Sequence, residues 1–269
     1  MDLGLTGRAC IVTGASRGIG LATATALARE GARVLLVART AEALADAAER
    51  CLGEAGAPRA AAEPYPCDVT ASNAGERVVT ACRESFGSVD VLVNNAGKTR
   101  RRPLDELTDA EWQEQWDLHV MASMRLMRAA APAMAERGWG RIVNVSSSSG
   151  KRPSPSNAAY SVTKAAQLSL SRVFADAYAA RGVLVNAIAP GPVETELWLE
   201  PGGLADQAAA AAGTSLEEAL AAAAAKIPLE RFGSAEEIAA AIVFLCSDKT
   251  SNVAGAAWSV DGGSVPVII

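Results

Sequence analysis

The chain has 269 residues, 50% of them apolar and 20% charged, which is enough for one α/β domain with a substantial core. Its net charge of −5 argues against nucleic acid or an anionic membrane surface as a general partner, because either would favour a basic excess. A single histidine, His119, excludes a multi-histidine metal site and argues against a Ser-His-Asp hydrolase.

The sequence carries no sign of secretion or membrane insertion. Residues 1–13 lack a basic segment followed by a long apolar one, and no run approaches the roughly 20 apolar residues that span a bilayer. The five cysteines are scattered, odd in number and without metal-ligand spacing. We therefore expect a reduced, cytoplasmic protein without a metal site.

Apolar runs typical of buried strands alternate with helical stretches along the chain. The predicted strands are residues 9–13, 33–38, 89–93, 141–146 and 183–188, and the first predicted helices are residues 18–30 and 41–55. The strands are continuous rather than alternating apolar runs, as a sheet covered by helices on both faces requires. This order predicts right-handed crossovers and a single doubly wound, Rossmann-type α/β domain with a parallel sheet.

The second half of the chain departs once from this rhythm. Thr108 and Glu111 form a capping-box pattern that predicts the start of a long helix, in which Pro132 predicts a kink or the last turns. Residues 194–226 then contain a Pro-Gly-Gly turn and an alanine-rich helix beginning at Ser215. We expect this segment to be an insertion that covers the substrate, so that residues 1–269 form one catalytic domain.

A glycine-rich turn follows the first predicted strand. The strand ends at Thr13 and runs directly into Gly14-Ala-Ser-Arg-Gly18-Ile-Gly20, after which a helix begins. Glycine allows close approach of the backbone to a ligand, and the helix N-terminus offers N–H groups to a diphosphate. The pattern favours dinucleotide binding over an ordinary strand–helix connection.

Together with this turn, several further motifs resemble the short-chain dehydrogenase/reductase family in order and spacing. They are Asn94-Asn95-Ala96-Gly97, Ser147, Tyr160-x-x-x-Lys164, Pro190-Gly191-x-x-x-Thr195 and Asp261-Gly262-Gly263. The resemblance implies a nicotinamide-dependent enzyme that interconverts a carbonyl and a secondary alcohol in a small-molecule substrate. A 3-oxoacyl thioester reductase, acting on an acyl-carrier protein or CoA, is the narrower alternative. A cofactor-binding regulator without catalysis is the non-enzymatic one.

The resemblance also implies which residues contact the cofactor. They are Gly14, Ser16, Arg17, Gly18, Ile19, Gly20, Arg39, Asp68, Val69, Asn95, Gly97, Tyr160, Lys164, Pro190, Val193 and Thr195. Asp68 fits equally well as a turn or helix-capping residue.

The second predicted strand indicates which nicotinamide cofactor is used. Members of the family that select NAD carry an acidic residue where this chain has Ala38, which cannot accept a hydrogen bond from a ribose hydroxyl. Arg39 and Arg17 could clamp a 2′-phosphate, for which guanidinium geometry is well suited. The sequence therefore predicts NADP(H) rather than NAD(H), against the alternative that both arginines are merely solvated.

The predicted reacting centre consists of Ser147, Tyr160 and Lys164. Tyr160 and Lys164 share one helix face at i and i+4, and Ser147 ends a strand at the same sheet edge. Lowering the pKa of a phenol by about three units takes roughly 4 kcal/mol, and one ammonium about 5 Å away supplies roughly 3 kcal/mol. By resemblance, Tyr160 is the general acid and base, Ser147 polarises the substrate oxygen, and Lys164 also holds the ribose. Serines at 146, 148 and 149 leave the register open by one.

His119 is a departure from the family, which usually has asparagine at this place to hold a water in a proton relay. An imidazole can hold that water or relay a proton itself. The alternative is that His119 only fills space.

Three further features complete the sequence-based expectations. Basic residues after two strands, Lys98, residues 100–102 and residues 151–152, could attract an acidic or acyl-carrier partner, but solvated loops are the favoured interpretation. Apolar side chains in the insertion could cover an apolar substrate or pack on the body of the fold; they are Leu197, Trp198, Leu199 and Leu204. The apolar tail, residues 265–269, is expected to bury against a subunit or the sheet edge. The family favours a homodimer or homotetramer.

Overall fold

The computed structural model describes residues 1–56 and 59–266. Its sheet has seven parallel strands in the order β3-β2-β1-β4-β5-β6-β7. The strands are β1 Ala9–Thr13, β2 Arg33–Ala38, β3 Ala61–Pro66, β4 Val91–Asn94, β5 Gly140–Val145, β6 Val183–Pro190 and β7 Ala257–Val260. The order reverses between β1 and β4, and a crevice at such a switch point is where ligands bind in open α/β sheets.

Helices cover both faces of the sheet, as the continuous apolar strands predicted. They are α1 Gly18–Arg29, α2 Ala41–Ala55, α3 Ala74–Phe86, α4 Asp109–Trp116, α5 Ala122–Glu136, α6 Ser148–Lys151, α7 Ala158–Tyr178, α8 Glu196–Leu199, α9 Leu204–Ala212, α10 Leu216–Ala224 and α11 Ala235–Cys246. One buried cluster packs α1, α2 and α11 against one face, and a second packs α3, α5 and α7 against the other. The doubly wound α/β fold is confirmed.

The sequence-based prediction gave no bounds for the two edge strands. The β3 segment carries Pro64 and Pro66, which cannot donate to a neighbour, and it pairs only with β2 at the sheet edge. The β7 segment pairs only with β6 and has no fully buried residue. Neither segment is a buried apolar run, because an edge strand is covered on fewer sides.

The long helix predicted from Thr108 is confirmed at its start and interrupted further on. The Thr108 hydroxyl accepts from the Glu111 N–H, and the Glu111 carboxylate accepts from the Thr108 N–H, which completes the capping box. A π-helical turn, Asp117–Met121, separates α4 from α5 and carries His119. Pro132 lies inside α5. The π turn displaces the helix locally, and such turns are frequent at functional sites.

The insertion holds three short helices, α8, α9 and α10, the last starting at a capping box of Ser215 and Glu218. The Trp198 ring packs edge-on against Phe232, with centroids 4.8 Å apart, and Leu204 is buried. Leu199 is exposed. Part of the apolar surface predicted to cover a substrate therefore packs on the body of the fold.

The remaining general expectations concern the cysteines, the tail and the membrane. All five cysteines are free and buried. At the tail, Val265 is half-buried and Pro266 exposed, while residues 267–269 lie outside the described part of the chain. Within residues 1–56 and 59–266, no helix combines the length and apolarity of a bilayer span.

Candidate active site

The glycine turn lies at the carboxyl end of β1, beside the switch point of the sheet. Gly14 and Gly18 have positive φ values of 65° and 53°, which favour glycine. A Cβ on Gly20 would lie 2.1 Å from the Gly14 carbonyl oxygen, so the chain's own packing requires this glycine. Arg17, the N-cap of α1, makes no side-chain cap, and the first turn contains no acidic residue. The N-terminus of α1 is therefore suited to an anion such as a diphosphate.

Asn95 ties β4 to this turn. Its side-chain Nδ2 donates to the Thr13 and Gly14 carbonyl oxygens over 2.9 and 3.2 Å, and its N–H donates to Thr13 Oγ1. Gly97 follows two residues later and is exposed. Asn95 thus holds the cleft floor through its side chain.

The other residues implied as cofactor contacts divide into packing residues and cleft residues. Val69 and Val193 are buried, Pro190 ends β6, and Ile19 packs on the core beneath the turn. Ser16 and Thr195 are half-buried, and the Thr195 methyl would lie 3.3 Å from a Cβ on Gly18. The structure therefore brings the Thr195 segment against the glycine turn.

Asp68 occupies a turn. Its carboxylate accepts from the Thr70 N–H over 2.9 Å and from the Thr70 hydroxyl over 2.8 Å, and these bonds lower the pKa of Asp68. The carboxylate is exposed and feels the positive charges of Arg39 and Lys98. The turn role that the sequence allowed for Asp68 is present in the structure.

The end of β2 combines the residues predicted for a 2′-phosphate site, and one of the two predicted arginines also forms an ion pair. Ala38 is the last residue of β2, and Arg39 follows it in an exposed position. Arg17, in contrast, is already paired: its Nη1 lies 2.6 Å from Glu200 Oε2 in the insertion. Both side chains of this pair are about half exposed, so the pair itself contributes at most about 1 kcal/mol.

This ion pair leads to a testable expectation for cofactor binding. In Glu200→Gln, Arg17 loses its competing carboxylate, and we expect NADPH to bind about 2–5-fold more tightly, within the range of an exposed ion pair. Fluorescence titration of NADPH measures the Kd. Glu194→Gln serves as the matched control on the same segment. An unchanged or weaker Kd in Glu200→Gln would show that Arg17 does not contact the 2′-phosphate.

Ser147 and Tyr160 are brought together at the carboxyl end of β5. Ser147 is the N-cap of α6, where its hydroxyl accepts from the Ser149 N–H over 3.1 Å, and its side chain hydrogen-bonds Tyr160. The neighbouring Ser146 hydroxyl donates instead to the Lys164 carbonyl oxygen over 2.8 Å. Because Ser146 bonds to the helix backbone, the geometry favours the register with Ser147 beside the phenol.

Lys164 is a buried ammonium next to the phenol ring. Its Nζ donates to the Val145 carbonyl oxygen over 2.7 Å and to Gln167 Oε1 over 3.1 Å, and it lies 5.6 Å from the centroid of the Tyr160 ring. The residue is 3% exposed. Burial lowers the pKa of Lys164 to about 7, because the charged form loses its hydration.

The pKa of Tyr160 does not follow the expectation from the lysine alone. Burial of the phenol raises its pKa above the ordinary value, and the hydrogen bond from Ser147 only partly opposes that rise. Desolvation of the phenolate therefore outweighs the hydrogen bond from Ser147.

His119 faces the same centre from the π turn. It is completely buried, its Nδ1 lies 3.0 Å from Thr163 Oγ1, and its ring meets the Tyr160 ring edge-on at 5.2 Å. Burial, followed by the charges of Lys164 and Lys98, lowers the pKa of His119 well below its usual range. The imidazole is therefore neutral at pH 7, which favours holding a water over carrying a proton as imidazolium.

A hydrogen-bonded support behind the centre is absent from the sequence-based prediction. Gln167 Nε2 donates to Ser123 Oγ over 2.9 Å, and Ser123 Oγ donates to the His119 carbonyl oxygen over 2.9 Å. With the Lys164 bond, this support joins α7 to the π turn. Its sequence signal is a polar residue, Gln167, three positions after Lys164 on the buried face of the same helix.

Three of the six basic residues near the cleft are paired with carboxylates. Lys98 pairs with Glu114, and Arg100 pairs with Glu111. Arg102 Nε lies 3.1 Å from the same Glu111 carboxylate. These pairs agree with the favoured interpretation of solvated loops, because neighbouring carboxylates neutralise the positive charge of the three basic side chains. Across residues 1–56 and 59–266, no three histidine, cysteine, aspartate or glutamate side chains gather as a metal site.

Comparisons with known proteins show similarity to reductases in both sequence and fold. The family profile described as enoyl-(acyl carrier protein) reductase matches residues 14–264. The 3-oxoacyl-(acyl-carrier-protein) reductase of Thermotoga maritima is 34% identical over 261 residues, covering 97% of this chain and 99% of the relative. The same-named enzyme of Escherichia coli is 36% identical over 257 residues, covering 96% and 97%. L-sorbose reductase from Gluconobacter frateurii, complexed with NADPH and L-sorbose, superposes with a TM-score of 0.91 at 36% identity, covering 100% of both chains.

Proposed function

The chain belongs to the short-chain dehydrogenase/reductase family and is an oxidoreductase of carbonyl and alcohol substrates, and on this basis we propose that it is an NADP(H)-dependent enzyme using Tyr160 as general acid and base. The observation that carries the proposal is the contact of Ser147 with Tyr160 beside the buried ammonium of Lys164.

The proposed roles follow from hydrogen-bonding capacity and charge. When bound, the nicotinamide supplies or accepts the hydride at the substrate carbon. In reduction, the Tyr160 hydroxyl donates its proton to the substrate oxygen, and in oxidation the phenolate takes it back. Ser147 donates a hydrogen bond to the same oxygen, and the Lys164 ammonium favours the phenolate. His119, whose ring meets the phenol ring edge-on, lies where it can hold a water of the active site.

NADP(H) is the proposed cofactor because Ala38 removes the ribose-binding acid and Arg39 lies exposed beside it. The structurally similar L-sorbose reductase forms a complex with NADPH. We expect Arg39→Ala to raise the KM for NADPH by about 10-fold and leave that for NADH unchanged, since one charge-assisted contact is worth roughly 1.5–3 kcal/mol. Arg59→Ala is the matched control. Turnover with NADH that equals or exceeds turnover with NADPH, and that persists in Arg39→Ala, would contradict this preference.

A 3-oxoacyl thioester reductase is the second candidate, favoured by relatives of that name at 34% and 36% identity. Pairing of Lys98, Arg100 and Arg102 with carboxylates weakens it, because these pairs reduce the positive charge available to an acidic carrier protein. A substrate panel separates the two candidates: a 3-oxoacyl thioester on CoA and on acyl-carrier protein, a ketose such as L-sorbose, and a simple cyclic ketone. NADPH binding without turnover of any member would instead support a regulator. Sedimentation analysis tests the proposed homodimer or homotetramer.

A further inference from the structure

His119 Nε2 is a buried polar atom without a hydrogen-bond partner, among the described residues, directly beside the proposed reacting groups. The ring contacts Tyr160, and its other nitrogen, Nδ1, lies 3.0 Å from Thr163 Oγ1. Which nitrogen carries the proton therefore decides whether Nε2 is a donor or an acceptor.

The hydrogen bond that the Thr163 hydroxyl donates determines which nitrogen of His119 is protonated. Thr163 Oγ1 lies 2.9 Å from the Tyr160 carbonyl oxygen, and a carbonyl can only accept. The single proton of the hydroxyl is thus directed to Tyr160. Toward His119 the hydroxyl offers a lone pair, so Nδ1–H must be the donor and Nε2 is left unprotonated.

The opposite tautomer makes fewer bonds. If Nε2 carried the proton, the Thr163 hydroxyl would have to turn toward Nδ1 and abandon the Tyr160 carbonyl oxygen. One hydrogen bond of the Thr163 hydroxyl would then replace two in a buried region. Charges facing the ring come from Lys164 on α7 and Lys98 after β4, and both disfavour a doubly protonated imidazole.

We propose that Thr163 is a positioning residue that holds His119 as the neutral Nδ1–H tautomer and so makes Nε2 a hydrogen-bond acceptor in the active site. The acceptor lies on the Gly97 side of the cleft, because a Cβ on Gly97 would lie 3.3 Å from Nε2. Its partner is an O–H group, either of a water or of a cofactor hydroxyl. Only that choice of partner rests on the proposed function.

The test uses the fact that His119 is the single histidine of the chain. Labelling the full-length protein with ¹⁵N-histidine gives one pair of ring nitrogen signals, and their couplings to the ring C–H protons assign them to Nδ1 and Nε2. At pH 7 we expect Nδ1 to resonate as a protonated nitrogen and Nε2 as an unprotonated one. A protonated Nε2, alone or together with Nδ1, would overturn the proposal in the wild-type spectrum, before any variant is made.

Two variants test the part played by Thr163. Thr163→Val keeps the shape and removes the acceptor, so we expect the preference for Nδ1–H to be lost, with the two nitrogen signals moving toward each other or exchanging. Thr163→Ser retains the hydroxyl and should retain the wild-type pattern. Thr23→Val is the matched control, because the buried Thr23 hydroxyl makes the same kind of bond, to the Ile19 carbonyl oxygen over 2.7 Å, away from histidine. If Thr163→Val leaves the two nitrogen signals unchanged, Thr163 does not determine the tautomer of His119.

Adding NADP⁺ distinguishes the two sources of the O–H group. If saturation with NADP⁺ changes only the Nε2 signal, the O–H group belongs to the cofactor. If the Nε2 signal has the chemical shift of a hydrogen-bonded nitrogen in the free protein and NADP⁺ leaves it unchanged, the O–H group belongs to a water. An Nε2 signal typical of a free lone pair in both states would contradict the acceptor role. These spectra of the free protein are independent of turnover, so their failure is distinguishable from failure of the proposed function.

Discussion

Replacing Tyr160 with phenylalanine is expected to lower kcat by at least ~10²-fold, as removal of a general acid–base group does. The substitution removes only the hydroxyl, which hydrogen-bonds Ser147, and leaves the ring edge packed against His119. We therefore expect the Kd for NADPH to change by no more than about 5-fold, well under the loss in turnover, because a single neutral hydrogen bond is worth about 1 kcal/mol. Steady-state kinetics and fluorescence titration on the same preparation measure both quantities.

The matched control is Tyr178→Phe on the same helix, where the ring stacks on Phe174 at 6.0 Å, away from the centre. It should retain wild-type kcat. Comparable activity in Tyr160→Phe and Tyr178→Phe would remove Tyr160 from the reaction.

Replacing Lys164 with methionine is expected to lower kcat/KM by about 10²-fold. A charge about 5 Å from the phenol supplies roughly 3 kcal/mol at an effective dielectric constant near 20, which corresponds to that factor. Lys249→Met, at an exposed lysine, is the control and should leave kcat/KM unchanged. Equal kcat/KM in both variants would show that the ammonium does not act on the phenol.

The pH dependence follows from the pKa of Lys164, which burial lowers to about 7. The ammonium is present below that pH and is lost as pH rises through it, so kcat/KM for carbonyl reduction should fall by about tenfold per pH unit on the alkaline side. In Lys164→Met this fall should disappear. A wild-type profile that is flat between pH 6 and 9 would contradict a requirement for the charged lysine.

The sequence predicted those parts of the fold in which the pattern of apolar residues alone identifies the element. Buried strands such as β1 and β2 are continuous apolar runs, and their bounds match the prediction. The edge strand β3 carries prolines and polar residues because it is covered less, so its period gives no signal. The π turn Asp117–Met121 is also absent from the prediction, because a single wide turn inside a helix leaves little trace in its periodicity.

The candidate site shows the same division. Ser147, Tyr160 and Lys164 follow from spacing and strand ends, which local sequence encodes. The pairing of Arg17 with Glu200 joins residues 183 positions apart, and the bond of Gln167 to Ser123 joins residues 44 positions apart. Long-range contacts of this kind depend on how the helices pack against the sheet, which local sequence patterns do not encode. The same holds for the raised pKa of Tyr160, which is set by burial rather than by its neighbour in sequence.

Transfer of deuterium from NADPH labelled at nicotinamide C4 tests the proposed reaction most directly. With a carbonyl substrate from the panel, wild-type protein should give an alcohol that carries deuterium at the former carbonyl carbon, on one face only, and Tyr160→Phe should give almost none in the same time. NADPH that binds without delivering the label to any substrate, or equal labelling by Tyr160→Phe, would contradict carbonyl reduction with Tyr160 as the proton donor.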